Sequence, residues 1–188
     1  MKAFPRLVNK QRKRGKKSMF PVPSEVEAVF HEFRTCELST VAKNGTPLTW
    51  PTTALYEPEH DRFLITTSIG LPQKAFNIRR NPRVALLFSN PTGSGLSHPP
   101  AVLVQGDARV SEGFEVSPIK NEDLRKCWLH LMQFQPFSPV YNKDRFSHYL
   151  FDWYFMRLLI AVTPCRICWW ERGDFTQVPH EVEVGHVE

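Results

Sequence analysis

Four runs decide how this chain folds: Leu38-Ser-Thr-Val-Ala-Lys-Asn-Gly-Thr-Pro-Leu-Thr-Trp-Pro51, Arg62-Phe-Leu-Ile-Thr-Thr-Ser68, Lys74-Ala-Phe-Asn-Ile-Arg-Arg-Asn-Pro-Arg-Val-Ala-Leu-Leu-Phe88 and Val102-Leu-Val-Gln-Gly-Asp-Ala-Arg-Val110. Cys36 to Ala42 alternates apolar and polar residues, the pattern of a half-buried strand. Asn44-Gly45 then reads as a two-residue hairpin turn. Thr46 to Tyr56 returns as a strand that Pro47 and Pro51 confine to an edge or a bulge. After a turn over Glu57 to Asp61, Arg62 to Thr67 adds a third strand, so a meander of three antiparallel strands is expected. A helix follows from Pro72 to Arg80. Proline loses nothing in a first turn, and Asn81-Pro82 ends the helix because the residue before proline avoids helical backbone. Arg83 to Ser89 and Ala101 to Val110 are strands, joined by a loop rich in Gly, Ser and Pro. Gly106 marks a bulge or a close approach of backbone.

Upstream, Ser24 is placed to cap a short helix whose Val26, Val29, Phe30 and Phe33 share one face. Downstream, 118–134 reads as a helix with Leu124, Trp128, Leu131 and Met132 along one side. Ser138 to Tyr154 is ambiguous, with a second helix as one reading. Arg157 to Thr163 and Cys165 to Glu171 read as a final hairpin. The chain is 188 residues long and 41% hydrophobic, enough for one sizeable core, while 16 prolines and 9 glycines argue against a helical bundle. Six or seven strands joined by hairpins and a helical crossover predict a mainly β protein, a small closed or half-closed antiparallel barrel with flanking helices. Phe151 to Val162 is the most apolar stretch, but Asp152 and Arg157 interrupt it well short of the ~18 apolar residues of a membrane span. No membrane association is expected.

The net charge of +5 is unevenly spread. Lys2, Arg6, Lys10, Arg12, Lys13, Arg14, Lys16 and Lys17 crowd the first 17 residues, which hold no acid, and the rest of the chain carries more acids than bases. Such a run repels itself and reads as a solvated, disordered arm. Loose attraction to nucleic acid is confined to this arm, so nucleic acid is not an expected partner of the folded body. The arm has no apolar core of a secretory signal. With Cys36, Cys127, Cys165 and Cys168 read as reduced thiols, a cytoplasmic location is expected. Cys165-Arg-Ile-Cys168 has metal-like spacing, but no second pair completes a site, and no metal is expected. His130, in the amphipathic stretch, reads as a helix-surface or packing residue. Three segments result: a basic arm over 1–22, one domain over 23–172 and a polar tail over 173–188.

Where a strand runs into the start of a helix, hydroxyls, backbone donors and a cation can gather around a phosphate. Thr66, Thr67 and Ser68 supply hydroxyls there, and Lys74 an ammonium in the first helical turn. Taken alone, the same residues also fit ordinary β-formers and a solvated charge.

The four opening runs, in this order and spacing, resemble the pyridoxamine 5′-phosphate oxidase-like family of flavin-binding split barrels, over about residues 24–172. The marks of the resemblance are the Thr-to-Pro hairpin around Asn44-Gly45, a strand ending in Thr or Ser, the Lys74…Asn77-Ile-Arg-Arg-Asn-Pro-Arg-Val84 run and the Gly106-Asp-Ala108 strand. The resemblance implies a six- to seven-stranded antiparallel split barrel that binds FMN. It places the phosphate on Thr66, Thr67, Ser68, Gln73 and Lys74, and the flavin ring along Trp50, Pro51, Thr52 and Thr53. It puts Trp170 near the flavin of a partner subunit in a homodimer. Core packing stands as the other reading of both Trp50 and Trp170. Asn77, Arg79, Arg80 and Arg83 recur in the family pattern, and the two arginines at a helix end read first as structural or dimer contacts. The aromatic run Phe146 to Phe155, more than one small barrel covers alone, is a separate reason to expect the dimer.

The chain departs from the pyridoxamine phosphate oxidases themselves. Tyr56 stands where they carry a flavin-contacting lysine, Gln73 replaces an arginine beside Lys74, and Arg172-Gly-Asp-Phe-Thr-Gln replaces their C-terminal Arg-x-His. These changes argue against vitamin B6 oxidation. Ser68-Ile-Gly-Leu-Pro72 before Lys74 looks closer to the branch that includes reductases using the deazaflavin coenzyme F-420. The expected function is an FMN-dependent oxidoreductase acting on a small molecule, with the F-420 reductase as alternative. A reading of another class is a non-catalytic flavin or haem binder, or a regulator. No nucleophile–base constellation is present, in keeping with a cofactor that carries the chemistry, and the residues name no catalytic group.

Overall fold

The computed structural model describes residues 20–113, 121–134 and 156–184. The basic arm up to residue 19, the ambiguous 138–154 stretch and the Phe146 to Phe155 run lie outside the described residues.

The elements run α1 (Ser24–Glu32), β1 (Cys36–Val41), β2 (Pro47–Thr52), β3 (Leu55–Glu57), β4 (Arg62–Ser68), α2 (Gln73–Arg80), β5 (Arg83–Phe88), β6 (Ala101–Val110), α3 (Glu122–Phe134), β7 (Arg157–Trp170) and β8 (His180–Glu183). All strand pairs are antiparallel, in the order β2-β1-β5-β6-β7-β4-β3, with β8 added against β7. The two edges of this sheet, β2 and β3, are consecutive in the chain and separated only by Thr53 and Ala54. Two residues cannot span a flat sheet of seven strands, so the sheet curls until its edges meet. The result is a split barrel, mainly β, with helices on its flanks. The expected three-strand meander is therefore two separate pairs, β1–β2 and β3–β4, at opposite edges.

Local chemistry accounts for the elements and for several departures from the sequence reading. Val26, Val29 and Phe30 of α1 are buried as their spacing requires, and Glu25 and Glu27 favour its positive end. Ser24 is the first helical residue and makes no side-chain cap. The β1–β2 turn has three residues, not two. The Ala42 amide donates to the Thr46 carbonyl at 2.8 Å, which encloses Lys43, Asn44 and Gly45. Gly45 takes φ +85°, the left-handed closing residue of such a turn. Pro47 and Pro51 sit on an edge strand, where a missing amide costs no ladder bond. Asn81 is extended ahead of Pro82, ending α2 where expected.

The expected final hairpin is one strand. Arg157 to Trp170 runs through Pro164 without turning. Opposite it, Gly106 shifts the register of β6, and a Cβ at Gly106 would stand 2.2 Å from the Thr163 carbonyl oxygen. The bulge absorbs the proline by letting backbone approach backbone. β7 then serves two neighbours on one edge, β4 with its first half and β8 with its second. No strand was expected over 173–188, where β8 lies.

Inside the barrel, Phe30, Tyr56, Phe63 and Phe88 form one aromatic cluster. Phe63 stands edge-on to Phe30 at 5.0 Å and tilted against Tyr56 at 5.0 Å. Tyr56, at the position of the family's lysine, is a buried part of this cluster.

Candidate cofactor site

Adjacent residues of a strand face opposite ways, and this divides the predicted hydroxyls. Phe63, Ile65 and Thr67 of β4 point into the barrel, while Leu64, Thr66 and Ser68 face outward, Leu64 and Thr66 of them against α3. Thr67 is buried, and its hydroxyl donates to the Leu71 carbonyl at 3.0 Å, holding the turn into α2. Ser68 accepts from the Gly70 amide at 3.2 Å, which leaves its own O–H to donate elsewhere.

Lys74 lies in the first turn of α2, where no side chain caps the free amides. Its ammonium stands 6.0 Å from the centre of the Trp50 ring. Trp50 is half-buried and belongs to neither hydrophobic cluster of the described residues. Arg157, directly across the sheet from Ser68, adds a second cation to this corner. Burial, and then the charge of Arg157, push the Lys74 ammonium below its ordinary pKa. Among the described residues no carboxylate forms a salt bridge with Lys74. Gln73 is exposed and donates to Asn77 Oδ1 at 3.0 Å. Asn77 is fully buried and bonds Thr40 at 3.0 Å, while Arg80 reaches the Val41 carbonyl at 2.8 Å and Arg79 that of Ser111 at 2.8 Å. The Asn-Ile-Arg-Arg run thus ties α2 to the sheet.

On β2, Trp50 and Thr52 share the half-buried face while Pro51 is exposed on the other. Thr53, just past the strand, meets Thr66 at a chamber of about 10 Å³ between the sheet and α3, together with Leu55, Leu64, Cys127, His130 and Leu131. Trp170 lies far from this corner. It sits at the opposite end of β7 from Arg157, on the order of 40 Å along the strand, against Phe175 at 5.1 Å. A cleft of about 600 Å³ beside it is lined by Glu25, Ser97, His98, Pro100, Glu171 and Arg172.

α3 is fastened beside the chamber by ion pairs. Arg62 bonds both carboxylate oxygens of Asp123 at 2.9 Å and Glu57 at 2.8 Å, and Lys126 bonds Glu57 at 2.6 Å. Burial raises the Glu57 carboxyl, but hydrogen bonds from Lys126 and Arg62, with their charges, outweigh it and hold the group below the ordinary range. Burial first, and then His31, push His130 down and favour the neutral ring, against an opposing hydrogen bond with the Ala54 backbone. Burial, then Glu57 and Asp123, push the Cys127 thiol up to about 12. Cys165 donates to the Gln105 carbonyl, and Cys168 lies against Glu181, so each thiol of the Cys-x-x-Cys pair has its own neighbour.

The sequence pattern of the family described as pyridoxamine 5′-phosphate oxidase matches residues 22–123, more than half of the chain. The chain belongs to this family. Solved structures agree in fold. A pyridoxamine 5′-phosphate oxidase-related, FMN-binding protein from Nostoc punctiforme aligns with TM-score 0.55 and 17% identity, over 89% of this chain and 98% of that one. A conserved hypothetical protein from Mycobacterium tuberculosis aligns with TM-score 0.54 and 23% identity, over 92% and 98%. An F-420 reductase aligns with TM-score 0.52 and 20% identity, over 78% and 98%. No curated protein matches in sequence. The family's fold explains what sequence reasoning missed. Arg157 joins the Lys74 corner only through the β4–β7 register, and His130 reaches the chamber only through the docking of α3.

Proposed function

We propose that this family member binds FMN and uses it for redox chemistry on a small molecule. The observation that carries this reading is the convergence of positive charge at Lys74. A helix N-terminus is itself positive, and a lysine in its first turn is at the wrong end of the dipole. Here that lysine is also half-buried and beside Arg157. Three repelling sources of charge are held together, an arrangement that a bound phosphate relieves. The residues fit a phosphorylated flavin. Lys74, Arg157, the free amides of α2 and the Ser68 hydroxyl face the phosphate. Trp50, Thr53 and Thr66 border the ring.

Bound flavin supplies hydride and electron transfer; the chain's own residues orient it and exclude water. Trp170 and the Lys74–Arg157 corner, which lie toward opposite ends of β7, border one cofactor only if two chains contribute. We therefore propose a homodimer, for which sedimentation should give about twice the 21.8 kDa chain mass; a flavin-loaded monomer would overturn it.

The test is titration of the purified full chain with FMN. Lys74→Ala removes a charge-assisted contact, roughly 1.5–3 kcal/mol, or about 10- to 150-fold in Kd. An unchanged Kd overturns the assignment. A chain that ignores FMN and binds coenzyme F-420 turns the reading to the deazaflavin, whose phosphate the same corner would take.

A further inference from the structure

The following rests on the flavin-binding reading. A helix that only covers a sheet closes the seam with apolar side chains, as Leu124 does beside Leu64 and Leu159. About two turns further along α3 the seam changes character. The sheet offers Leu55 and Leu64 with the hydroxyls of Thr53 and Thr66, and α3 offers Leu131 with the imidazole of His130. Apolar slabs with a few polar groups from separate elements are the lining of a pocket for a planar heteroaromatic ring. The chamber now has room for about one water, so a ring enters it only as α3 stands off the sheet. The fasteners of α3 are at Asp123 and Lys126, a turn or more before His130.

We propose that α3 is a further wall of the ring slot, and that His130 is the positioning residue that hydrogen-bonds the polar edge of the flavin ring. The neutral imidazole has one N–H, which it gives to the Ala54 backbone, so its other ring nitrogen acts as an acceptor and suits the imide N–H of that edge. Thr53 and Thr66 face the same space from the sheet, so the ring is held from both sides.

Riboflavin, which has the ring without the phosphate, separates this inference from the phosphate reading. In the full chain, His130→Ala should weaken FMN and riboflavin by the same factor, about 2- to 12-fold for one hydrogen bond, and shift the absorption band of the bound flavin. Lys74→Ala should weaken FMN alone. His130→Gln, which retains a donor and an acceptor, should restore both affinities. If the thermal transition shows that His130→Ala does not fold, Leu131→Trp carries the test: by filling the slot it should abolish riboflavin binding. Unchanged riboflavin affinity and spectrum in a folded His130→Ala, or normal binding by Leu131→Trp, overturns the inference while the Lys74 result stands. A wild-type chain that binds neither flavin overturns both readings.

Discussion

The two faces of β4 meet different surroundings. On the inner face Phe63 and Ile65 are fully buried, and Phe63 meets Phe30, Tyr56 and Phe88 ring to ring. On the outer face Leu64 is buried but Thr66 and Ser68 are only half so, and the helix above them leaves a chamber unfilled. Side chains that alternate with period two let one segment hold the fold with its odd residues and meet a ligand with its even ones. Stability and the proposed binding at this strand are therefore separable by single substitutions.

The comparison is broken most directly at Phe63. Phe63→Ala should cost about 3–5 kcal/mol in urea unfolding, whereas Thr66→Val on the other face should cost no more than about 1.5 kcal/mol. Equal losses would mean that the outer face is also core.

Glu57 sharpens the comparison, because it fastens the outer helix rather than the core. Glu57→Gln should cost about 1–3 kcal/mol. This is less than breaking a fully buried pair, because Arg62 and Lys126 are 25% and 30% exposed. The folded carboxyl titrates below its unfolded value, so its stabilisation is present above the unfolded pKa and is lost as pH falls through the folded one. Acid titration of unfolding free energy should show this loss in the wild type and not in Glu57→Gln. An identical acid profile would remove the ion cluster from the account of α3.

The smallest effect is expected at Lys74 without ligand. The folded ammonium has a depressed pKa, so its charge opposes folding below the folded pKa, and that opposition fades as pH rises toward the unfolded value. Lys74→Met should leave the apo melting temperature unchanged or slightly higher at neutral pH while weakening FMN. A clear fall in the apo Tm would make Lys74 a structural residue.

The sequence by itself determined the local elements and most of the family pattern. Alternation at Cys36 to Val41, the prolines of β2 and the Asn81-Pro82 stop act within a few residues, so each is readable where it stands. Lys74 was legible for the same reason, since its place in a first helical turn depends only on neighbours. Tertiary structure decided what depends on register and docking. Pro164 reads as a turn until Gly106, 58 residues earlier, is seen to accept it across a bulge. Thr66 and Thr67 look alike until the curl of the sheet sends one inward to the core and the other outward to α3. Arg157 and His130 reach the site through strand pairing and helix packing, contacts between residues far apart in the chain that no local pattern encodes.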